Sequence, residues 1–173
     1  NNSKFDCIIG VSGGKDSTRQ ALFIRDKLKL KPLLVSLAYP PEQLTERGAR
    51  NISNLIELGF DMVISNPAPV RWKFLMRESF LRFTNYAVST ELALFSAVPQ
   101  IAMHYGINLI MWGENPGLQL GDLGTLGRNG YDGNNLRNMN TLAGGDISWM
   151  LSDEIRKNNI LQYCYPPEKD VND

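Results

Sequence analysis

The chain has 173 residues, 43% hydrophobic and 21% charged, which suits one globular domain and excludes a disordered, collagenous or coiled-coil chain. Eighteen Lys and Arg balance eighteen Asp and Glu, so the basic excess common in nucleic-acid binders is missing and nucleic acid is not expected as a partner. Two cysteines, Cys7 and Cys164, and one histidine, His104, exclude a disulfide framework; no zinc site is expected, and the setting predicted is reduced and cytoplasmic.

No charged segment precedes an apolar run at the start, so no signal peptide is expected. The chain opens on Asn1, and we read residues 1–173 as a single domain that is the core of a longer protein. A first strand is predicted over residues 6–11, followed by a helix over 17–30 with Ala21, Ile24 and Leu28 on one face. A second strand spans 33–37, and a second helix spans 42–58 with Gly59 as its stop. A third strand covers 61–65. Trp72, Leu75, Met76, Phe80 and Phe83 then recur at helical spacing and predict a core-facing stripe. A fourth helix over 89–105 is apolar nearly all round and contains Pro99; Ser89 and Glu91 read as its N-terminal capping residues, with substrate contact as the alternative.

The charge-free stretch from Leu92 to Gly113 is long enough to raise the question of a membrane span. Pro99, Gln100, His104, Gly106 and Asn108 interrupt it, so it reads as a buried helix and then a strand over 107–112, with no membrane insertion. Residues 114–145 are rich in Gly and Asn and predict a lid or a flexible loop. Asp146 is placed to cap a last helix reaching Lys157, and residues 158–173 read as an edge strand with a polar end. Alternating strands and helices predict an α/β fold, a doubly wound, mainly parallel sheet with helices on both faces. Such sheets bind ligands outside the carboxyl ends of their strands, here the loops after Val11, Leu37, Ser65 and Trp112.

The first of those loops carries chemistry. Ser12-Gly13-Gly14-Lys15-Asp16-Ser17 follows a strand and opens a helix. Two glycines let the backbone bend sharply and approach a ligand, and successive N–H groups form a nest for phosphate oxygens. The helix presents its positive end to the same spot. Ser12 and Ser17 add hydroxyls, and Lys15 adds a full charge. Asp16 suits a phosphate site if Mg²⁺ mediates; otherwise it serves as a helix cap. The spacing matches neither the Walker A pattern nor the dinucleotide fingerprint.

This hexapeptide resembles the signature of the PP-loop ATP pyrophosphatases, the adenine nucleotide alpha hydrolase-like group. The resemblance implies an enzyme that cleaves ATP between the α and β phosphates, adenylates a substrate oxygen and lets a nucleophile displace AMP. It implies that Ser12, Gly13, Gly14, Lys15, Asp16 and Ser17 hold the phosphates, with Asp16 reaching Mg²⁺. Ser36, Leu37 and Ala38 would border the adenine, and Gly113 and Glu114 would face the ribose, the α-phosphate or Mg²⁺. Lys15, Asp16 and Glu114 are the catalytic candidates.

Two wider stretches, residues 7–22 and Asn108-Leu-Ile-Met-Trp-Gly-Glu-Asn-Pro, look like the N-acetyl sugar amidotransferases of surface-polysaccharide and flagellin-sugar biosynthesis. That resemblance covers residues 5–117. It implies a nucleotide-linked N-acetyl sugar as substrate, ATP and Mg²⁺ as cofactors, and a separate glutaminase and ammonia channel as partners. Asn115, Arg128 and Arg137 are candidates for the sugar diphosphate, arginine being the natural bidentate clamp. His104 reads as structural. Two alternatives stand beside this one: a tRNA-modifying PP-loop enzyme, and a module that binds ATP or AMP without turnover.

Overall fold

A computed structural model describes residues 4–113, 136–138 and 140–171. Four strands, β1 (Cys7–Gly10), β2 (Pro32–Leu37), β3 (Met62–Ser65) and β4 (Ile110–Trp112), form one sheet in the order β3-β2-β1-β4. All three pairings are parallel. Gly10 at the end of β1 pairs with Val35 on one side and Trp112 on the other.

Four helices connect the strands: α1 (Lys15–Asp26), α2 (Glu46–Glu57), α3 (Pro69–Phe83) and α4 (Ala87–Tyr105). Alternation along the strands sorts them into two layers. Cys7, Ile9, Val11 and Leu34 face α1 and α2, packing with Ala21, Ile24 and Leu55. Ile8, Leu33, Val35 and Leu37 face the other way, against Trp72 and Leu75 of α3 and the apolar length of α4. The expected doubly wound α/β fold is therefore present. The chain moves outward from β1 to β2 to β3, then crosses back by α3 and α4 to put β4 on the far side of β1. The sheet's topological switch point lies between β1 and β4.

Helix ends differ from the sequence expectation for local reasons. Helix α1 starts two residues early, at Lys15, because Gly14 serves as the N-cap. It also stops early: Lys29 adopts a left-handed conformation (φ 58°), and the Leu28 N–H turns back to the Phe23 carbonyl, so Leu28 is exposed. Helix α2 begins after Thr45, whose hydroxyl accepts the Gly48 N–H at 3.1 Å. Helix α4 continues through Pro99.

The stripe expected on α3 is half right. Trp72 and Leu75 are buried, but Phe80 is 53% and Phe83 47% exposed. The buried face runs through Ser79, and Phe83 instead packs edge-on against Trp149 at 5.1 Å. Strands β3 and β4 are the edges and are only half-buried, so continuous apolar runs here do not mean burial on both faces.

No helix extends from Asp146 to Lys157. Asp146 does cap a turn, accepting the Ser148 N–H at 2.8 Å, but only Ser148–Met150 is helical. The Ser152 hydroxyl then accepts the Ile155 N–H, a local bond that competes with the helix ladder. Nor is the described tail a strand. It forms single turns at Lys157–Asn159, Leu161–Tyr163 and Glu168–Asp170. Side chains of α4 take its carbonyls: Gln100 donates to Leu161 and Cys164, and Ser96 to Tyr163. Most of the expected lid lies outside the described residues, but Leu136 and Leu142 near its end are buried in the core.

Candidate phosphate-binding site

The turn between β1 and α1 lies at the switch point. Val11 extends the ladder through its N–H to the Val35 carbonyl at 2.8 Å, and the chain then leaves the sheet. Gly13 has φ +74°, and a Cβ built there would lie 2.6 Å from the Asn51 carbonyl oxygen of α2. Only glycine fits this position, both by conformation and by space. Helix α2 thus backs the turn and fixes its path.

Inside the turn the hydroxyls point backwards. Ser17 Oγ donates to the Gly14 carbonyl and Thr18 Oγ1 to the Gly13 carbonyl, each at 3.3 Å. The Gly14 N–H donates to Ser12 Oγ at 3.3 Å. No side chain caps α1. Its first helical hydrogen bond within the chain is donated by Thr18 to Gly14, so the N–H groups of Lys15, Asp16 and Ser17 belong to the open first turn. An uncapped helix start behind two glycines suits phosphate oxygens. Lys15 and Asp16 are exposed beside it. Asp16 lies with Arg19, Gln20 and Phe23 along a shallow cavity of about 310 Å³ on the outer side of α1.

Gly113 closes the other side of the switch point. A Cβ at Gly113 would sit 3.1 Å from Gln20 Oε1 and 3.3 Å from Ser17 Cα, so β4 ends directly against the first turns of α1. Gln20 Nε2 donates to the Trp112 carbonyl at 2.7 Å, tying α1 to β4. Its Oε1 is buried and has no hydrogen-bond partner. Gln20 was not singled out from sequence, although it stands three residues after Ser17 and so on the same helix face.

The end of β2 forms a third wall. Ser36 and Leu37 are buried, Ala38 is half-buried, and the Ala38 N–H donates to the Ser65 carbonyl at 2.8 Å. Tyr39 then packs edge-on to Trp72 at 5.3 Å, and Trp72 Nε1 donates to Gln43 Oε1 at 3.1 Å. Burial first, and the charge of Glu91 second, push the Tyr39 phenol up. Glu91 Oε2 is itself buried without a hydrogen-bond partner.

Ser89 and Glu91 are not the N-cap. Helix α4 begins at Ala87, whose N–H is accepted by Asn85 Oδ1 at 2.9 Å. Both expected cap residues lie inside the helix, and the buried Ser89 Oγ lacks a partner.

The structure therefore brings together Ser12, Gly13, Gly14, Lys15, Asp16, Ser17 and Gly113, with Ser36, Leu37 and Ala38 at the neighbouring strand end. Glu114, Asn115 and Arg128 lie outside the described residues. Arg137 stacks over the Tyr165 ring at 5.1 Å and donates to the Pro166 carbonyl, which engages it with the C-terminal tail. Both thiols are pushed up chiefly by burial, away from the reactive thiolate. Among the described residues no three His, Cys, Asp or Glu side chains are grouped to hold a metal. Among them, too, no helix is long and apolar enough to cross a membrane.

No family model and no curated protein matches the chain. Solved structures do match in shape. NMN synthetase from Francisella tularensis superposes with a TM-score of 0.51 at 17% identity, over 69% of this chain and 50% of that one. A predicted subunit of tRNA methyltransferase from Methanocaldococcus jannaschii gives 0.42 at 18% identity, over 64% of this chain and 53% of that one. The likeness to NMN synthetase shows the fold, a doubly wound α/β parallel sheet. The chain spans about half the length of each structure.

Proposed function

We propose that this chain is the ATP-binding core of an AMP-forming amidotransferase. The observation that carries the reading is the turn at Gly13: a left-handed glycine wedged on α2, opening an uncapped helix at the sheet's switch point. Such a turn receives the phosphates of ATP through backbone N–H groups. Lys15 adds charge at the phosphates. Mg²⁺ would be held by the phosphates and water with Asp16 as a protein ligand, since the ion keeps most of its water and takes one or two carboxylates. Ser36–Ala38 would border the adenine. Glu114, with Lys15 and Asp16, completes the catalytic set.

The acceptor in this reading is a nucleotide-linked N-acetyl sugar. Its amide oxygen is a poor leaving group. Attack of that oxygen on the α-phosphorus releases pyrophosphate and, with loss of the amide N–H proton to solvent, leaves an O-adenylated imidate. Ammonia then adds to the imidate carbon, AMP departs and an acetamidino sugar forms. Catalysis is mainly positioning and charge stabilisation. Asn115, Arg128 and Arg137 are the proposed sugar-diphosphate contacts. The ammonia would come from a separate glutaminase, because neither thiol is activated here. The setting proposed is the cytoplasm. The wider likeness of residues 7–22 and 108–116 to sugar amidotransferases favours this acceptor.

The test is ³¹P NMR with Mg-ATP, ammonium chloride and a panel of UDP-N-acetyl sugars. AMP and pyrophosphate are expected with one sugar. The double variant Ser12→Ala, Asp16→Ala is expected to stop pyrophosphate release while its circular dichroism is unchanged. Unaltered turnover in that variant refutes the site.

A further inference from the structure

Helix α4 carries a stripe of four residues toward the sheet: Glu91, Phe95, Val98 and Ala102, spaced four, three and four apart. Two contacts fix its position. The Phe95 ring lies 5.5 Å from the Trp112 ring, and Val98 Cγ2 lies 3.1 Å from where a Cβ of Gly10 would be. Gly10 and Trp112 are the paired last residues of β1 and β4. The last residue of the helix, Tyr105, packs on Phe5 just before β1 at 6.3 Å, and the chain then leads into the amino end of β4, so the helix runs against the strands. Glu91, four residues before Phe95, is therefore about 6 Å further along, beyond the ends of β1 and β4. It approaches from the α4 side the switch point that the glycine turn approaches from the α1 side.

The carboxylate there is in an unusual state. Oε2 is shut off from solvent without a hydrogen-bond partner, and none of the ion pairs among the described residues involves Glu91. Tyr39 is close enough to feel its charge, and Phe95 stands one turn along the same helix face. Glu91 is half-buried, and a carboxylate oxygen shut off from solvent without a partner calls for a cationic or N–H-donating ligand. A single carboxylate balances one ammonium, whereas Mg²⁺ demands six oxygens in near-octahedral array.

The geometry points to Glu91 as the carboxylate that receives the attacking ammonia. This rests on the amidotransferase reading and adds the nucleophile's side of the site. Ammonium pairs with Glu91 and gives up a proton to solvent as it is held. The nitrogen lone pair attacks the imidate carbon, forming the C–N bond. The C–O bond to the adenylate breaks, its electron pair leaving with AMP. The surplus proton on nitrogen passes to the Glu91 carboxylate.

The experiment uses the full chain labelled with ¹³C at the glutamate carboxyls, titrated with ammonium chloride and, separately, sodium chloride. The variant Glu91→Gln identifies the Glu91 signal. That signal is expected to shift saturably with ammonium and not with sodium. In the AMP-forming assay, Glu91→Gln is expected to raise the ammonium concentration for half-maximal rate at least tenfold, while the Kd for ATP stays within twofold. An ammonium-specific shift without AMP formation with any sugar keeps the ammonium site and overturns the sugar-amidating reading. AMP formation with no ammonium shift at Glu91, and an unaltered ammonium dependence in Glu91→Gln, overturns the assignment of Glu91 and keeps that reading. Loss of both signals overturns both.

Discussion

Gly13 rests on Asn51: a Cβ at position 13 would lie 2.6 Å from the Asn51 carbonyl oxygen, closer than any carbon can approach. The contact joins the loop after β1 to helix α2, more than thirty residues further on. It makes the path of the turn a property of two helices, so the nest is held before any ligand arrives.

Gly13→Ala is therefore expected to cost about 2–5 kcal/mol, combining a left-handed alanine with overpacking against backbone. Gly14→Ala is the control. Gly14 has φ −68°, and a Cβ there meets only Ser12 Oγ at 3.4 Å. Its cost is expected below about 1 kcal/mol, the scale of replacing an N-cap glycine by alanine. Urea unfolding of the two variants measures the difference, and equal midpoints would refute the role given to Asn51.

Gln20 offers a test of the junction between α1 and β4. Gln20→Ala removes the bond to the Trp112 carbonyl and is expected to cost about 1 kcal/mol. Gln20→Glu sets a carboxylate against that carbonyl and is expected to cost more at pH 7, by about 1–3 kcal/mol. The new carboxyl would titrate above its unfolded value of about 4.3, because its neutral form can donate to Trp112. Its penalty is therefore full at neutral pH and relieved as pH falls through the folded value. Urea midpoints from pH 7 to pH 4 should bring Gln20→Glu toward Gln20→Ala.

The sequence carried the order of strands and helices and the place of the phosphate turn, because glycine pairs, prolines and short apolar runs mark local backbone choices. It did not carry Asn51 or Gln20 as partners of the turn, since both contacts depend on how helices lean on the sheet. The helical spacing of Phe80 from Trp72 predicts a core position. The 3.6-residue period admits Ser79 equally well, and Ser79 is the one buried. The tail misled for another reason. Gln100 and Ser96 of α4 take its carbonyls, leaving no ladder for a strand, and side-chain donors of this kind leave no period in a sequence.

Cys7 ties stability to alkaline pH. Burial, and then the charge of Asp6, push its thiol above the ordinary value. A raised folded value favours the protonated thiol in the folded state. Its contribution is complete below the unfolded value of about 8.5 and is lost as pH rises above it. Tyr163, pushed up by burial, extends the loss to higher pH. Urea midpoints are expected to fall between pH 8 and pH 10, and Cys7→Ala should flatten the first part of that fall. A wild-type midpoint constant over the range would contradict the burial of Cys7.

The corner between α3 and α4 depends on a small polar residue where an aromatic one was expected. Ser79 is fully buried, and its Oγ donates to the Asn85 carbonyl at 2.6 Å, while Asn85 Oδ1 accepts the first N–H of α4. The pair fixes where α4 starts and hence where Glu91 stands relative to the switch point. Ser79→Ala leaves the Asn85 carbonyl without this donor and is expected to cost about 1–2 kcal/mol. Phe80→Ala removes an exposed ring and is expected to cost less, within about 0.5 kcal/mol. Leu75→Ala, in the core between them and the sheet, should cost about 2–5 kcal/mol. Urea unfolding that ranks Leu75 above Ser79 and Ser79 above Phe80 supports this face of α3. If Phe80→Ala proved the most damaging of the three, the buried stripe would have to pass through the aromatic residues after all.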